Sequence, residues 1–68
     1  MNAAEHSTLV FLLNAIETAP SKSEDLLALA GRKEASDSFR TAVRDLHDVV
    51  GDEKALLAKS EQMRRALR

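Results

Sequence analysis

The sequence predicts an all-α fold, and three observations support this prediction. Ala, Leu, Glu, Lys and Arg make up 37 of the 68 residues, with only two Gly and one Pro, a composition typical of helical chains. Two short segments carry helix-capping signals, and the C-terminal half carries a heptad repeat of apolar residues. We therefore expect one domain over residues 1–68, in which a short helical arm of two helices packs on a long C-terminal heptad-bearing helix, in a dimeric helical bundle.

The first helix is predicted over about residues 3–18. Asn2 and Glu5 have the spacing of a capping box, in which Asn2 accepts a hydrogen bond from the first turn and Glu5 reaches back to the cap residue. Pro20 then ends the helix, because the residue before a proline avoids helical backbone angles. The bounds of this helix are therefore set by local signals at both ends.

The apolar run from Leu9 to Leu13 makes this helix hydrophobic on more than one face. Successive residues are rotated by about 100°, so the run goes more than once around the helix. The stripe with i, i+3, i+4, i+7 spacing that a core would take consists of Leu9, Leu12, Leu13 and Ile16. Val10 and Phe11 lie outside this stripe, and we expect them to face outward and to bind a partner.

A short second helix is predicted over about residues 22–30. Ser21 is the expected N-cap, and Glu24 follows it three residues later, as in a second capping box. Gly31 is suited to the left-handed conformation that closes many helices. A helix this short is marginal in isolation, so its leucines must dock on the rest of the protein.

A heptad repeat from Phe39 to Leu67 predicts one long helix over about residues 35–67. Apolar doublets recur at heptad spacing, with single positions between them. An apolar stripe with this period is typical of a coiled-coil seam, so we expect a homodimer packed along it. The predicted dimer interface consists of Phe39, Val43, Leu46, Val50 and Leu57.

Two interpretations remain open at Gly51. In the first, the helix is continuous and Gly51 lies on its outer side, at a cost of about 1 kcal/mol relative to alanine. In the second, Gly51 ends one helix and Asp52 caps a fourth. The heptad phase is unchanged across Gly51, which favours the first interpretation. On the outer side we expect ion pairs such as Asp37 with Arg40, Arg44 with Asp48, and Glu61 with Arg64 or Arg65.

Residues that could catalyse a reaction or hold a metal are few and poorly spaced. The chain has no cysteine. Four potential metal ligands cluster in the sequence, namely Asp45, His47, Asp48 and Asp52. A second ligand would be needed one helical turn before or after His47, but Val43 and Gly51 occupy these positions and cannot bind a metal through their side chains. A small helical domain also leaves little room for a catalytic pocket, and we expect no cofactor, no metal and no enzymatic activity.

The expected function is regulation by binding. Small helical chains without site chemistry commonly cover a surface of a larger protein, and we expect this one to inhibit or modulate its target in the manner of an antiactivator, an anti-sigma-like inhibitor or an antitoxin. The expected partners are a second copy of the chain and an unidentified protein. Residues 1–8 contain no Lys or Arg and the apolar run that follows is short, so we expect a cytoplasmic protein without a signal peptide or a membrane span.

A helix-turn-helix-like DNA-binding regulator is the alternative. Residues 23–50 contain a short helix, a glycine and a longer helix. The residues that would contact DNA are Arg40, Thr41 and Arg44. If Gly31 is the turn glycine, the two positions of the second helix that should be apolar are Asp37 and Arg40, which are charged. Only a longer turn would let Phe39 and Val43 act as the apolar anchors. The formal net charge of −1 also argues against nucleic acid as a partner.

Overall fold

A computed structural model describes residues 1–32 and 34–67. Their backbone forms α1 (Ala3–Thr18), a 3₁₀ helix (Pro20–Lys22), α2 (Ser23–Gly31), α3 (Asp37–Asp48) and α4 (Glu53–Ala66). α1 packs mainly on α4 and α2 mainly on α3, so that the helices enclose one hydrophobic core. The all-α prediction is confirmed, since the residues that the structure describes form helices, turns and coil but no strand.

The long helix predicted over residues 35–67 is wrong, because the chain turns between α3 and α4. The Asp52 N–H donates to the carbonyl oxygen of Val49 at 3.1 Å, which closes the turn. The Asp52 side chain then accepts a hydrogen bond from the Ala55 N–H at 3.2 Å. This cap satisfies a first-turn donor of a new helix, so the fourth helix of the second interpretation is confirmed. The role of Gly51 in that interpretation is wrong, because α3 already ends at Asp48 and Gly51 does not have a positive φ.

The capping box predicted at the start of α1 is confirmed. Oδ1 of Asn2 accepts a hydrogen bond from the Glu5 N–H at 2.9 Å, and Oε1 of Glu5 accepts one from the Asn2 N–H at 3.1 Å. Two backbone donors that a helix start would leave unpaired are thus satisfied by side chains. The last residue of α1 is Thr18, two residues before Pro20, as the sequence predicts.

Two details predicted for α2 are wrong. Ser21 is not its N-cap, because Pro20–Lys22 form a 3₁₀ turn and α2 begins at Ser23. Proline has a backbone angle suited to the first turn of a helix, so the chain enters α2 through this tighter turn. Gly31 is the last residue of α2 and does not have a positive φ, so its role as a left-handed helix terminator is also wrong.

The core takes one stripe from each helix. Its buried apolar residues are Leu9, Leu12, Leu13, Ile16, Leu27, Ala30, Phe39, Val43, Leu46 and Leu56. All four residues assigned to the core-facing stripe of α1 are among them. Ser60 is buried beside this core, and its hydroxyl donates to the carbonyl oxygen of Leu56 at 2.7 Å. A buried hydroxyl that is hydrogen-bonded in this way avoids most of the cost of desolvation.

The residues predicted for the dimer interface belong to the core of the chain itself. Phe39, Val43 and Leu46 are buried, and Val50 and Leu57 are half-buried and pack against the same core. The turn after α3 divides the heptad stripe into two pieces, and both face the interior. The heptad spacing is therefore explained by packing within one chain and no longer indicates a homodimer.

Candidate protein-binding surface

The outer side of α1 carries an apolar patch without charge. We define the α1 outer face as Ser7, Val10, Phe11 and Asn14, which are helix neighbours at i+3 and i+4 spacing and are all exposed. Phe11 is 65% exposed and Val10 is 37% exposed, as the sequence predicts. Residues 7–16 contain no charged side chain. The part of α1 that faces water therefore has at its centre an uncharged aromatic group.

The exposed side chain of Phe11 has no part in the core. The core is served by the opposite stripe of α1, which is fully buried. Burying a phenylalanine contributes about 1.5–3 kcal/mol, and at Phe11 most of this contribution remains available to a complex. Aromatic side chains are also enriched among the residues that dominate protein interfaces. The α1 outer face thus has the composition of a contact surface.

Polar contacts hold both ends of α1 against other helices. Oε2 of Glu5 accepts a hydrogen bond from the Ser36 N–H at 2.7 Å, and Ser36 is the N-cap of α3. At the other end, the Arg64 guanidinium of α4 pairs with the Glu17 carboxylate at 2.8 Å. The α1 outer face is therefore presented by a helix whose opposite side packs in the core and whose two ends contact α3 and α4, and such an element positions contact residues better than a loop does.

Hydrogen bonds from the backbone lower the pKa of Glu5 from its ordinary value of 4.5. The Ser36 N–H has the largest effect and the Asn2 N–H the next, because both donate to the carboxylate and stabilise its charged form. Desolvation acts in the opposite direction but is outweighed. The ionised side chain of Glu5 thus joins the start of α1 to the start of α3.

Leu29 on α2 is also strongly exposed but has different surroundings. Its side chain is 59% exposed. Charged residues lie about one helical turn away on both sides, with Asp25 four residues before it and Arg32 three residues after it. A single exposed leucine among charged groups is ordinary for a protein surface. Leu29 is therefore a suitable comparison for Phe11, because it matches Phe11 in exposure but lacks the uncharged surroundings.

The arrangement of α2 and α3 is compatible with the DNA-binding alternative. Arg40, Thr41 and Arg44 are all exposed on α3. The connection from α2 to α3 is long enough for Phe39 and Val43 to be buried as apolar anchors, as that alternative requires.

Carboxylates lie on both helices that the DNA-binding alternative uses. Glu24 and Asp25 occupy the first turn of α2, the helix that in a helix-turn-helix crosses the phosphate backbone. On α3, Thr41 has Asp37 one turn before it and Asp45 one turn after it. These carboxylates would repel phosphates, and a near-neutral chain gains little from counterion release.

Arg40 and Arg44 border a groove between α2 and α3 with a volume of about 520 Å³. Arg32 and His47 line the same groove, whereas Thr41 does not. The proximity of Arg32 to His47 depends on how α2 packs beside α3, and no local pattern in the sequence indicates that packing.

The ion pairs predicted on the outer side of α3 do not form. In residues 1–32 and 34–67 the side-chain ion pairs are Glu17 with Arg64 and Glu61 with Arg65. Arg40 and Arg44 are therefore left without a carboxylate partner in this part of the chain.

Neither a metal site nor a membrane span is found in the part of the chain that the structure describes. The potential ligands Asp45, His47, Asp48 and Asp52 do not form a group able to hold a metal ion, and no other three His, Asp or Glu side chains there do so. Across the same described residues, every helix is too short or too polar to cross a bilayer.

Comparisons with known proteins do not indicate a function. No family model, no curated protein and no solved structure matches the chain. Two surfaces of the chain are therefore candidates for binding, namely the α1 outer face and the groove between α2 and α3.

Proposed function

We propose that the chain is a small protein-binding module that inhibits or modulates a larger protein, and that the α1 outer face is its contact surface. The observation that carries this proposal is the 65% exposure of Phe11 in the middle of an uncharged helical face. Antiactivators, anti-sigma-like inhibitors and antitoxins act in this manner, by covering a surface of their target. The absence of cysteine fits action in a reducing compartment such as the cytoplasm.

The chemistry of the α1 outer face restricts the kind of surface that it can bind. Val10 and Phe11 supply apolar area, while Ser7 and Asn14 supply uncharged hydrogen-bonding groups beside it. A helix of this kind binds in an apolar groove of its partner. Because the face has no charge, the affinity of the complex should depend only weakly on salt concentration.

Site-specific crosslinking tests this assignment directly. The photoreactive amino acid p-benzoylphenylalanine is placed at position 11 in one variant and at position 29 in a matched variant, and both are irradiated in the native cell. We expect a single protein to be crosslinked from position 11 and not from position 29, because both positions are exposed but only the first lies on the proposed contact surface.

The crosslinked protein is then purified and its affinity measured with the wild type, Phe11→Ala and Leu29→Ala. Burial of phenylalanine contributes about 1.5–3 kcal/mol, so Phe11→Ala should weaken binding by roughly tenfold to a hundredfold. Leu29→Ala should bind as the wild type does, and both variants should keep its melting temperature. Equal crosslinking from both positions, or unchanged affinity of Phe11→Ala, would contradict the proposal.

A further inference from the structure

The groove between α2 and α3 has an apolar floor. The residues that form it are Leu27, Ala28, Ala30 and Gly31 of α2 and Phe39 and Val43 of α3. Ala28 and Gly31 are exposed, whereas the other four residues are almost fully buried and belong to the core. Apolar concave surfaces bordered by polar groups are the usual form of binding sites in proteins.

The border of this groove is basic. Arg40, Arg44 and His47 lie at i, i+4 and i+7 on α3 and form one row over two helical turns. Arg32 lies at the other side, where α2 ends. The residues that line the groove include no Asp or Glu.

Two arginines of the border have aspartates about one helical turn away, Asp37 from Arg40 and Asp48 from Arg44, but do not pair with them. Over residues 1–32 and 34–67, none of Arg32, Arg40 and Arg44 forms an ion pair. The acidic residues of α3, Asp37, Asp45 and Asp48, are not among the lining residues either. The charges of α3 are thus segregated, in a chain whose formal net charge is only −1.

We propose that the α2–α3 groove binds an acidic amphipathic helix of a partner protein. The apolar ridge of that helix would lie on the floor, and its Glu and Asp side chains would pair with Arg32, Arg40 and Arg44. The planar guanidinium groups suit carboxylates, which they can bind through two parallel hydrogen bonds. The apolar floor favours a protein helix over a nucleic acid, because a phosphate backbone offers no apolar side chains to cover it.

The dimensions of the groove set the length of the helix. The row from Arg40 to His47 covers about 10 Å along α3 at ~1.5 Å per residue, so about two turns of a bound helix would lie along it. None of the residues of the α1 outer face lines this groove. The inference therefore concerns a second surface, and it can hold or fail independently of the proposed function.

The test uses a designed helical peptide of about 14 residues, with leucines at i, i+3, i+4 and i+7 and glutamates on both sides of them. Its binding to the full chain is measured by fluorescence anisotropy. We expect saturable binding that weakens as NaCl is raised from about 50 to about 200 mM, because salt screens the exposed charges. The same peptide with glutamine at every glutamate position should bind at least tenfold more weakly.

Charge-reversal variants locate the binding site. Arg40→Glu and Arg44→Glu should each weaken binding of the acidic peptide by tenfold or more. Lys54→Glu is the matched control, because it makes the same change of charge on the exposed surface of α4, away from the groove, and its affinity should fall less than threefold. All three positions are exposed, and circular dichroism verifies that the variants keep the wild-type helix content.

Several outcomes would overturn the assignment. Equal binding of the glutamine peptide would show that the basic border does not select carboxylates. Equal losses for Arg44→Glu and Lys54→Glu would show that only the overall charge matters. If oleate or a random-sequence DNA duplex displaced the peptide at concentrations below those of unlabelled peptide, the groove would be a site for anionic lipids or phosphates. A self-association that Arg40→Glu abolishes would make a second copy its occupant.

Discussion

Truncation of Leu46 is the clearest test of whether the heptad stripe packs within one chain or between two chains. Leu46 is fully buried within the single chain, and its replacement by alanine removes a branched side chain and leaves a cavity. Changes of this kind cost about 2–5 kcal/mol. The total stability of a 68-residue chain is expected to be about 3–10 kcal/mol. A loss of about 3 kcal/mol would lower the melting temperature by roughly 12–24 °C.

The assay is urea unfolding followed by circular dichroism at two protein concentrations that differ at least tenfold. Leu29→Ala is the control, because the same change at a 59% exposed leucine should alter the free energy of unfolding by about 0.5 kcal/mol or less. Leu46→Met conserves volume and should cost less than about 1.5 kcal/mol, so it remains measurable if Leu46→Ala does not fold. The reasoning would be refuted if Leu46 variants lost stability only at low protein concentration, because that dependence indicates a buried surface shared between chains.

Three further predictions concern the Asp52 cap, the Glu5 carboxylate and Gly31. Asp52→Ala should lower the free energy of unfolding by about 0.5–2 kcal/mol in urea melts, because it removes the cap on the Ala55 N–H; higher helix content with unchanged stability would instead mean that α3 and α4 can join. Wild-type stability should fall as the pH is lowered through 4.5 and below, because the pKa of Glu5 is lower in the folded state than in the unfolded state. Thermal melts over this range should show a smaller fall for Glu5→Gln than for the wild type or the exposed control Glu24→Gln, and equal falls would contradict the role of Glu5. Gly31→Ala should stabilise the chain by about 0.4–1 kcal/mol, since an added Cβ meets no atom within 4 Å and φ is not positive; a loss of stability in urea would restore Gly31 as a left-handed terminator.

Local signals predicted the start and the buried side of α1, but the local signals at Ser21 and Gly31 did not predict the ends of α2. The Asn2–Glu5 capping box and the buried stripe of α1 are properties of one helix, and both are found as predicted. The exposure of Phe11 follows from the same stripe, because a helix that buries one side must present the other. These features needed no knowledge of tertiary contacts.

The turn after α3 shows where such reasoning fails. An apolar stripe that keeps its phase can continue through a helix, but it can equally be divided when each piece faces the same core. At Gly51 the heptad phase favoured a continuous helix, whereas Asp52 offered a cap that lets the chain turn. Folding back lets α4 cover α1 in the same chain, and that burial is available without a second subunit. Phase alone cannot distinguish these outcomes.

The unpaired arginines of the groove between α2 and α3 could not be predicted from residue spacing. Arg40 and Arg44 each have an aspartate at a spacing that allows an ion pair on the helix, so the sequence favoured neutralised pairs. Exposed pairs of this kind contribute little, with typical values below about 1 kcal/mol. Small differences in rotamer energy can therefore leave them unformed, and in the structure both arginines line the groove instead.

Phe11 and Arg44 are not needed for the packing of the core. A polar residue at position 11 or a carboxylate at position 44 would leave the core unchanged, because both side chains are exposed. Phe11→Ala and Arg44→Glu should therefore act on separate surfaces, and each should remove one binding activity while sparing the other. If either variant removed both activities and kept its melting temperature, the two surfaces would be parts of one site. The contact from Glu5 to Ser36, which joins α1 to the start of α3, would then be the first connection between them to test.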